Sequence, residues 1–327
     1  MREKRISFKG IEVFDFVIDD KYIWFVTAWT NYLFKMKIQE GLIVDAIRLP
    51  VGNPFSTDTV ASMYMLHDNI YLIPNKENRH LICYEKKTGR AYVVISFEKN
   101  TFGNYSYQDK NNIYLTVRGK NIIIKYCKQN MEIEKMTVPI NCKGLEGVLK
   151  IGDKFYFTEE ETGNLICWDV YADEVWTNKK KPDKYKNANN HFTVSGMLQC
   201  EDYLYVFPEY SNMILRYDLN KDTVFCQEMF DEYLFDKPLF MCAGRAGDEY
   251  VAFMNGKDEW MIYGKDLKIK RFFGMSFSQD VIKALISESV FNNKGYMENT
   301  TNFYKEGDRR NLVFNYKLED FIEDIVR

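Results

Sequence analysis

The sequence predicts an all-β fold, and three observations support that class. The 327-residue chain contains 23 Tyr and 24 Phe, and aromatic residues of this kind are enriched in strands. Apolar runs of five to eight residues, bounded by Asn, Asp and Gly, recur along the chain, which is the pattern of strands joined by turns. No 3.6-residue apolar period runs through these segments, so a repeat built from helices is excluded.

Composition limits the classes of function. A net charge of −3 and a pI near 5.8 provide no general attraction to nucleic acid or to an anionic membrane, so neither partner is expected. The first ten residues lack the apolar segment of a secretory signal, and no apolar run is long enough to cross a bilayer. The seven Cys show no C-x-x-C spacing, which favours reduced thiols. We therefore predict a cytoplasmic protein without a metal site or a cofactor.

One unit of sequence recurs six times. A polar residue precedes each aromatic strand, at spacings of 42 to 49 residues: Asp20, Asp68, Asn111, Asp153, Asp202 and Asp248. A polar break follows each of them and precedes a second apolar run: Asn31, Asn78, Asn121, Asn164, Asn212 and Asp258. With one strand before the first polar residue and one after the second apolar run, each unit holds four short strands, which is the size of a propeller blade.

Six such units in a ring bury the faces of each unit against its neighbours. The repeated pattern, in which Asp precedes one strand and Asn precedes a second strand ending in Tyr, is clearest at residues 68–84 and 202–218. In this respect the chain resembles the six-bladed β-propellers of the broad kelch and NHL type, over about residues 10–273. The resemblance implies a propeller of four-stranded antiparallel blades and specifies no activity.

The repeat also predicts the division of the chain. Residues 1–275 form the propeller, and residues 276–327 form a short α-helical C-terminal extension. Its first helix has Ser278 as a possible N-cap and Val281 on its apolar face. We expect the extension to pack on the ring and help to close it. A seventh, irregular blade built from this tail and residues 1–9 is the alternative.

Charged loops suggest where a ligand binds. In a propeller, the loops between the second and third strands share one face with the loops between blades, around the mouth of the channel. This face has a basic sector, with Arg79 and Arg118 from blades 2 and 3. Blades 4 and 5 contribute an acidic sector with Glu160 and Glu209, and Tyr210 follows in the same loop. Such a division suits a small polar ligand or a peptide segment, although surface loops are also charged simply because they are solvated.

Two residues on inner strands extend this candidate site. Arg245 lies among small residues on the sixth inner strand, where it is predicted either to grip a carboxylate or to bridge blades. Glu146 begins the fourth inner strand and is predicted to face the same channel mouth.

His191 ends the longest loop between blades, residues 178–191, which contains five lysines around a Pro. Lysines in that setting are expected to be solvated, and we predict that the loop closes over a ligand as a lid.

The predicted function is therefore a cytoplasmic binding or scaffold propeller that recognises a small polar molecule or a protein segment on its loop face. The alternative is a propeller enzyme of the lyase, hydrolase or cyclase type. In that case His191 is the base, Glu160 or Glu209 is its partner, and Arg245 holds a substrate carboxylate.

Overall fold

The structure is a computed structural model of the chain. It describes residues 13–19, 21–27, 31–51, 60–74, 78–98, 101–102, 105–182, 192–211, 213–221, 223–228, 240–246, 249–254, 259–264 and 268–281. Within strands, the side chains of residues 105, 226–228, 240–241, 245–246, 250 and 254 lie outside the description.

The first three blades follow one another along the chain. Blade 1 contains β1 (Val13–Asp19), β2 (Tyr22–Thr27), β3 (Tyr32–Lys37) and β4 (Leu42–Arg48). Blade 2 contains β5 (Val60–Leu66), β6 (Asn69–Pro74), β7 (His80–Glu85) and β8 (Arg90–Ser96). Blade 3 contains β9 (Tyr105–Gln108), β10 (Asn112–Thr116), β11 (Ile122–Cys127) and β12 (Ile133–Thr137).

The second three blades repeat this order. Blade 4 contains β13 (Leu145–Ile151), β14 (Lys154–Glu159), β15 (Leu165–Asp169) and β16 (Glu174–Asn178). Blade 5 contains β17 (Val194–Cys200), β18 (Tyr203–Pro208), β19 (Met213–Asp218) and β20 (Thr223–Glu228). Blade 6 contains β21 (Phe240–Ala246), β22 (Glu249–Met254), β23 (Glu259–Tyr263) and β24 (Ile269–Gly274), and β25 (Ser276–Phe277) follows it.

Each blade is an antiparallel sheet of four consecutive strands, so the predicted six-bladed propeller is confirmed. The inner strands β1, β5, β9, β13, β17 and β21 each contact the next, and β21 contacts β1, which closes the ring. The turns between first and second strands lie on one face, called here the turn face. The loops between second and third strands lie on the opposite face, called here the loop face, as the antiparallel order requires.

Burial explains why the strands are so apolar. The second and third strands of each blade are covered on both faces, whereas the outer strands β8 and β12 are largely exposed. Every interface between neighbouring blades has its own cluster of buried side chains in the described part of the chain. Cys83 and Cys167 are buried in the third strands of blades 2 and 4, where each is a small apolar residue. The six cysteines with described side chains are free thiols.

The repeated polar residues have local structural roles. His67 and Asp68 both have positive φ, as a tight turn between antiparallel strands requires, and His67 is exposed. The amide groups of Asn31 and Asn121 donate to the carbonyl oxygens of Val51 and Ile140, at 2.9 and 2.6 Å. These bonds attach the loop face of a blade to the segment that leads into the next one.

The ring closes through the chain that follows blade 6. Strand β25 adds to the outer edge of blade 1 in parallel with β4. The Ser276 and Ser278 amides donate to the carbonyl oxygens of Gly41 and Ile43, at 2.8 and 2.9 Å. A helix starts at residues 279–281, and Val281 N lies 3.4 Å from Ser278 Oγ, consistent with the predicted N-cap. The rest of the predicted helical extension, and the tail of the alternative seventh blade, lie outside the described residues.

Candidate functional site

The central channel encloses a cavity of about 550 Å³. All six inner strands contribute to its lining: Asp15, Phe16, Val17, Ile18, Met65, Ser106, Tyr107, Gln108, Leu149, Met197, Leu198, Gln199, Ala243 and Gly244. Ile18, Met65 and Gln199 come from the second halves of their strands, so the cavity extends from mid-channel toward the turn face. It therefore lies deeper than the loop-face site suggested by the sequence.

Irregular pairing shapes the start of the inner strands. Five of them, in blades 1, 2, 4, 5 and 6, shift register against their neighbours within the first residues. A bulge of this kind bends the strand and re-aims the side chains beside it. Asp15 in blade 1, Ser62 in blade 2 and Cys242 in blade 6 directly follow such a shift.

Asp15 lies at one end of a polar arc that crosses blades 1 to 3. Its Oδ1 accepts the Phe16 amide at 2.8 Å, and its Oδ2 accepts the Met63 amide at 2.6 Å. The Ser62 hydroxyl also bonds to this carboxyl group. Ser62 Oγ in turn lies 2.8 Å from Ser106 Oγ in blade 3. Three inner strands are thus joined by side-chain hydrogen bonds at one level of the channel.

Gln108 extends the arc toward the turn face. Its Nε2 donates to Met63 O at 3.2 Å, while its Oε1 accepts from Lys128 Nζ at 2.9 Å. Lys128 is buried, donates also to Asp109 O at 2.7 Å, and has a lowered pKa because burial disfavours its charge. Gln108 lines the cavity, and Lys128 lies on its far side, where it donates a hydrogen bond to the Gln108 side chain.

The opposite side of the cavity is mostly apolar. Blades 4 to 6 contribute Leu149, Met197, Leu198, Ala243 and Gly244, together with the polar residue Gln199. Small residues are needed here because a Cβ on Gly196 would lie 2.8 Å from Ala243 O, and one on Gly244 would lie 2.9 Å from the Phe16 ring. The cavity thus has an arc of hydrogen-bonded side chains on one side and a mostly apolar wall on the other.

The environment of Asp15 changes its ionisation. Burial raises its pKa to about 6, although the backbone amides of Met63 and Phe16 and the Ser62 hydroxyl act in the opposite direction. The side chain reaches the channel, yet protein surrounds it on the other sides. The thiol of Cys242 is buried nearby, and burial together with the Asp15 charge raises its pKa well above the usual value. Asp15 is therefore a carboxyl group that can exchange a proton near neutral pH.

Two of the residues predicted from the sequence meet on the loop face. Glu160 is nearly buried, and its Oε1 lies 3.3 Å from Arg118 Nε. Its Oε2 accepts the Gly119 amide at 2.9 Å. The Glu160 backbone bonds to Gly144 and Phe192, on either side of blade 4. These contacts link blades 3, 4 and 5, and they bring one basic and one acidic residue together rather than leaving two separate sectors.

The other predicted residues have differing environments. Glu146 is fully buried, Glu209 and Tyr210 are also buried, and Arg79 is exposed on the loop face. The backbone of Glu209 bonds to Thr193, which precedes β17. None of the four lines the channel cavity.

His191 lies outside the described residues, and so does the side chain of Arg245, whose backbone follows Gly244 in β21. Their proposed roles stay predictions.

The described start of the lysine-rich loop corrects one expectation. Lys181 was expected to be solvated with the other lysines, but its Nζ donates to Gly163 O and lies 5.5 Å from the centre of the Phe192 ring. Burial lowers its pKa to about 8, and the charge of Glu159 opposes that shift. The expectation is wrong for Lys181 because a glycine carbonyl and an aromatic ring between blades 4 and 5 accommodate it.

A second cavity, of about 620 Å³, lies between the outer parts of blades 4 and 5. Its lining includes Trp176, which is 45% exposed, together with Lys179 and Asp218. Lys154 Nζ lies 5.0 Å from the centre of the Trp176 ring. The channel cavity is lined by inner strands, whereas this cleft is bordered by outer strands and exposed side chains.

In the part of the chain that the structure describes, no group of three or more His, Cys, Asp or Glu side chains is placed to hold a metal ion. The same residues include no helix long and apolar enough to cross a membrane.

Comparison with known proteins identifies the fold and nothing narrower. No family model matches the chain, and no curated protein matches its sequence. Virginiamycin B lyase from Staphylococcus aureus superposes with a TM-score of 0.56 and 12% identity, covering 83% of this chain and 88% of the lyase. A streptogramin B lyase gives a TM-score of 0.55 and 13% identity, covering 84% and 86%.

The WD40 repeats of RRP9 give a TM-score of 0.54 and 9% identity, covering 84% of each chain. The shared property is the fold. Because both enzymes and repeat domains are similar to this chain at such low identity, the likeness selects neither class of function.

Proposed function

We propose that this propeller is a binding protein that recognises a small polar ligand inside its central channel. The observation that supports the proposal is the cavity of about 550 Å³, which has an arc of hydrogen-bonded side chains on one side and a mostly apolar wall on the other. Binding sites for small molecules commonly measure about 300–1,000 Å³ and combine apolar lining with a few placed polar groups. The proposal keeps the ligand class predicted from the sequence but locates the ligand below the loop face. A cytoplasmic location stays a prediction.

The proposal is tested by blocking the channel. Leu198 is half-buried and lines the channel cavity, so Leu198→Trp should fill part of it. Leu219 is also half-buried but lines the cleft between blades 4 and 5, so Leu219→Trp is the matched control. A library of small polar compounds is screened against the unmodified protein by ligand-observed NMR. We expect Leu198→Trp to weaken the hits at least about tenfold and Leu219→Trp to leave them unchanged.

The opposite pattern, with hits lost only in Leu219→Trp, would move the site to the outer cleft. Hits that persist in both variants would favour the loop face, where Arg118 and Glu160 lie.

A second candidate function is enzymatic, and one observation favours it. Asp15 combines access to the cavity with a pKa of about 6, which is suited to a general acid or base at neutral pH. This candidate differs from the sequence hypothesis, which used His191 with Glu160 or Glu209. Incubating the protein with each NMR hit and following the mass of the compound tests it. Turnover that disappears in Asp15→Asn while binding persists would support an enzyme, and unchanged compounds would support a binding protein.

A further inference from the structure

The channel cavity contains one negative charge and no described positive charge. Among the described residues that line it, Asp15 is the only carboxyl group, and none is a lysine, an arginine or a histidine. The nearest lysine in the polar arc, Lys128, bonds to the far side of Gln108 and to Asp109. The described lining of the cavity therefore offers a ligand a single charged group, and that group is negative.

The contacts of Asp15 leave its charge without a counter-ion in the described part of the chain. Its carboxylate accepts hydrogen bonds from two backbone amides and one hydroxyl, all of which are neutral groups. A buried carboxylate normally has a cation beside it, because neutral donors only partly replace the water that it loses. The raised pKa of Asp15 is the consequence of that incomplete replacement.

The rest of the cavity indicates the shape of the ligand. Leu149 and Met197 lie across the channel from Asp15, and Ala243 lies beside it in the neighbouring blade 6. Phe16 and Tyr107 lie beside the polar arc and offer aromatic surface. A molecule with an apolar body and one cationic end matches both walls.

We propose that the channel binds an amine: a ligand whose protonated nitrogen lies against the Asp15 carboxylate and whose apolar part contacts the wall of blades 4 to 6. This inference rests on the proposed channel site and names the chemical class of its ligand. Binding of the cation offsets the loss of hydration of Asp15, so affinity depends on the charge of the ligand more than on its size.

Three probes of similar shape test the charge dependence: 2-phenylethylamine, 2-phenylethanol and 3-phenylpropionate. Titrations at pH 8, where Asp15 is ionised and the amine is protonated, are followed by ligand-observed NMR. Since a charge-assisted hydrogen bond is stronger than a neutral one, we expect the amine to bind at least about tenfold more tightly than the alcohol. The carboxylate should show no binding.

Variants identify the group responsible. Asp15→Asn should bring the affinities for amine and alcohol within about twofold of each other. Asp45→Asn removes one exposed carboxylate from strand β4 of the same blade and should preserve the preference for the amine. If Asp15→Asn does not fold, the three probes on the unmodified protein decide the question alone.

Failure of the inference and failure of the channel site give different results. Equal binding of amine and alcohol, or binding of the carboxylate, leaves the channel site intact and overturns the amine inference. A preference for the amine that survives Asp15→Asn also overturns it. Absence of binding by all three probes, combined with library hits that are insensitive to Leu198→Trp, overturns the channel site itself.

Discussion

At the scale of single residues, the hydrogen bonds around the channel depend on the residues near the start of the inner strands. Blade 1 has Asp15, blades 2 and 3 have Ser62 and Ser106, and blade 6 has Cys242. Blade 5 has Gly196 at the equivalent pairing position. These positions lie at one level of the ring. The Asp15 carboxylate can therefore accept a hydrogen bond from blade 2, and Ser62 of blade 2 can hydrogen-bond to Ser106 of blade 3.

Asp15 should make the stability of the fold depend on pH. Its pKa in the folded protein is about 6, above the usual 3.8, so the folded state binds more protons between these values. The free energy of unfolding should therefore fall as pH rises from about 4 to about 6, by roughly 2–3 kcal/mol from this group. Urea unfolding of the parent and of Asp15→Asn between pH 4 and pH 8 measures the effect. The difference in their free energies of unfolding should change by that amount over this range.

The control for this prediction is Asp45→Asn, whose carboxylate is exposed on strand β4. Its difference from the parent should stay constant over the same pH range. A constant difference for Asp15→Asn as well would contradict the raised pKa.

At the scale of elements, the turns between third and fourth strands contain glycines whose surroundings differ from blade to blade. Gly41 in blade 1 and Gly89 in blade 2 both have positive φ, at 61° and 69°. Glycine adopts this conformation without the steric cost that other residues incur. Gly89 faces open space, whereas a Cβ on Gly41 would lie 2.2 Å from Gly274 O at the end of blade 6. Gly41 thus also provides room for the closing segment.

The pair of glycines allows a matched test. Gly89→Ala should lower the free energy of unfolding by about 1–2 kcal/mol, which is the cost of a left-handed conformation alone. Gly41→Ala should cost clearly more, by about 2 kcal/mol or more beyond that, because the backbone of Gly274 must also move. Chemical denaturation of the two variants under identical conditions provides the comparison. Equal losses would show that the approach of blade 6 to Gly41 is unimportant for stability.

At the scale of the whole molecule, closure of the ring depends on the segment after blade 6. In the described chain, blade 1 starts with β1 as its inner strand and blade 6 ends with β24 as its outer strand. Neither of these blades therefore takes one of its four strands from the other end of the chain. Instead β25 covers the edge of β4, and the Arg271 guanidinium donates to Ile38 O at 2.7 Å. Phe277 packs against Phe34, with ring centres 6.2 Å apart, within the cluster between blades 6 and 1.

Removing the Phe277 side chain should therefore weaken closure. Phe277 is 8% exposed, and deletion of a buried phenylalanine costs about 3–5 kcal/mol in typical cores. We expect Phe277→Ala to lose about 2–4 kcal/mol in urea unfolding, since its strand contributes only two residues to the sheet. Phe272→Ala is the control, because Phe272 is 42% exposed on the outer strand β24 and should cost less than about 1.5 kcal/mol. Similar losses for both would mean that β25 does not hold the ring together.

Much of this architecture follows from the sequence alone. Local patterns determine turns and strands, because the polar residues at Asp68, Asp153 and Asp202 end one apolar run and begin the next. The burial of Cys83 and Cys167 was also predictable, since both lie at one position of the repeat between apolar neighbours. A repeated local signal of this kind determines the blade, and burial of both blade faces then requires a ring.

Only the tertiary structure decided which residues form the channel. Asp15 follows a register shift in β1, and its partners Met63 and Ser62 belong to another blade, 48 residues away for Met63. No motif joins Asp15, Ser62, Ser106 and Gln108, because their proximity depends on the bulges and on the angle between blades. The parallel addition of β25 to β4 was equally hidden, since two residues of strand have no periodic signal. Sequence periodicity reflects the strands and turns within each blade, whereas the channel and the ring closure depend on contacts between blades.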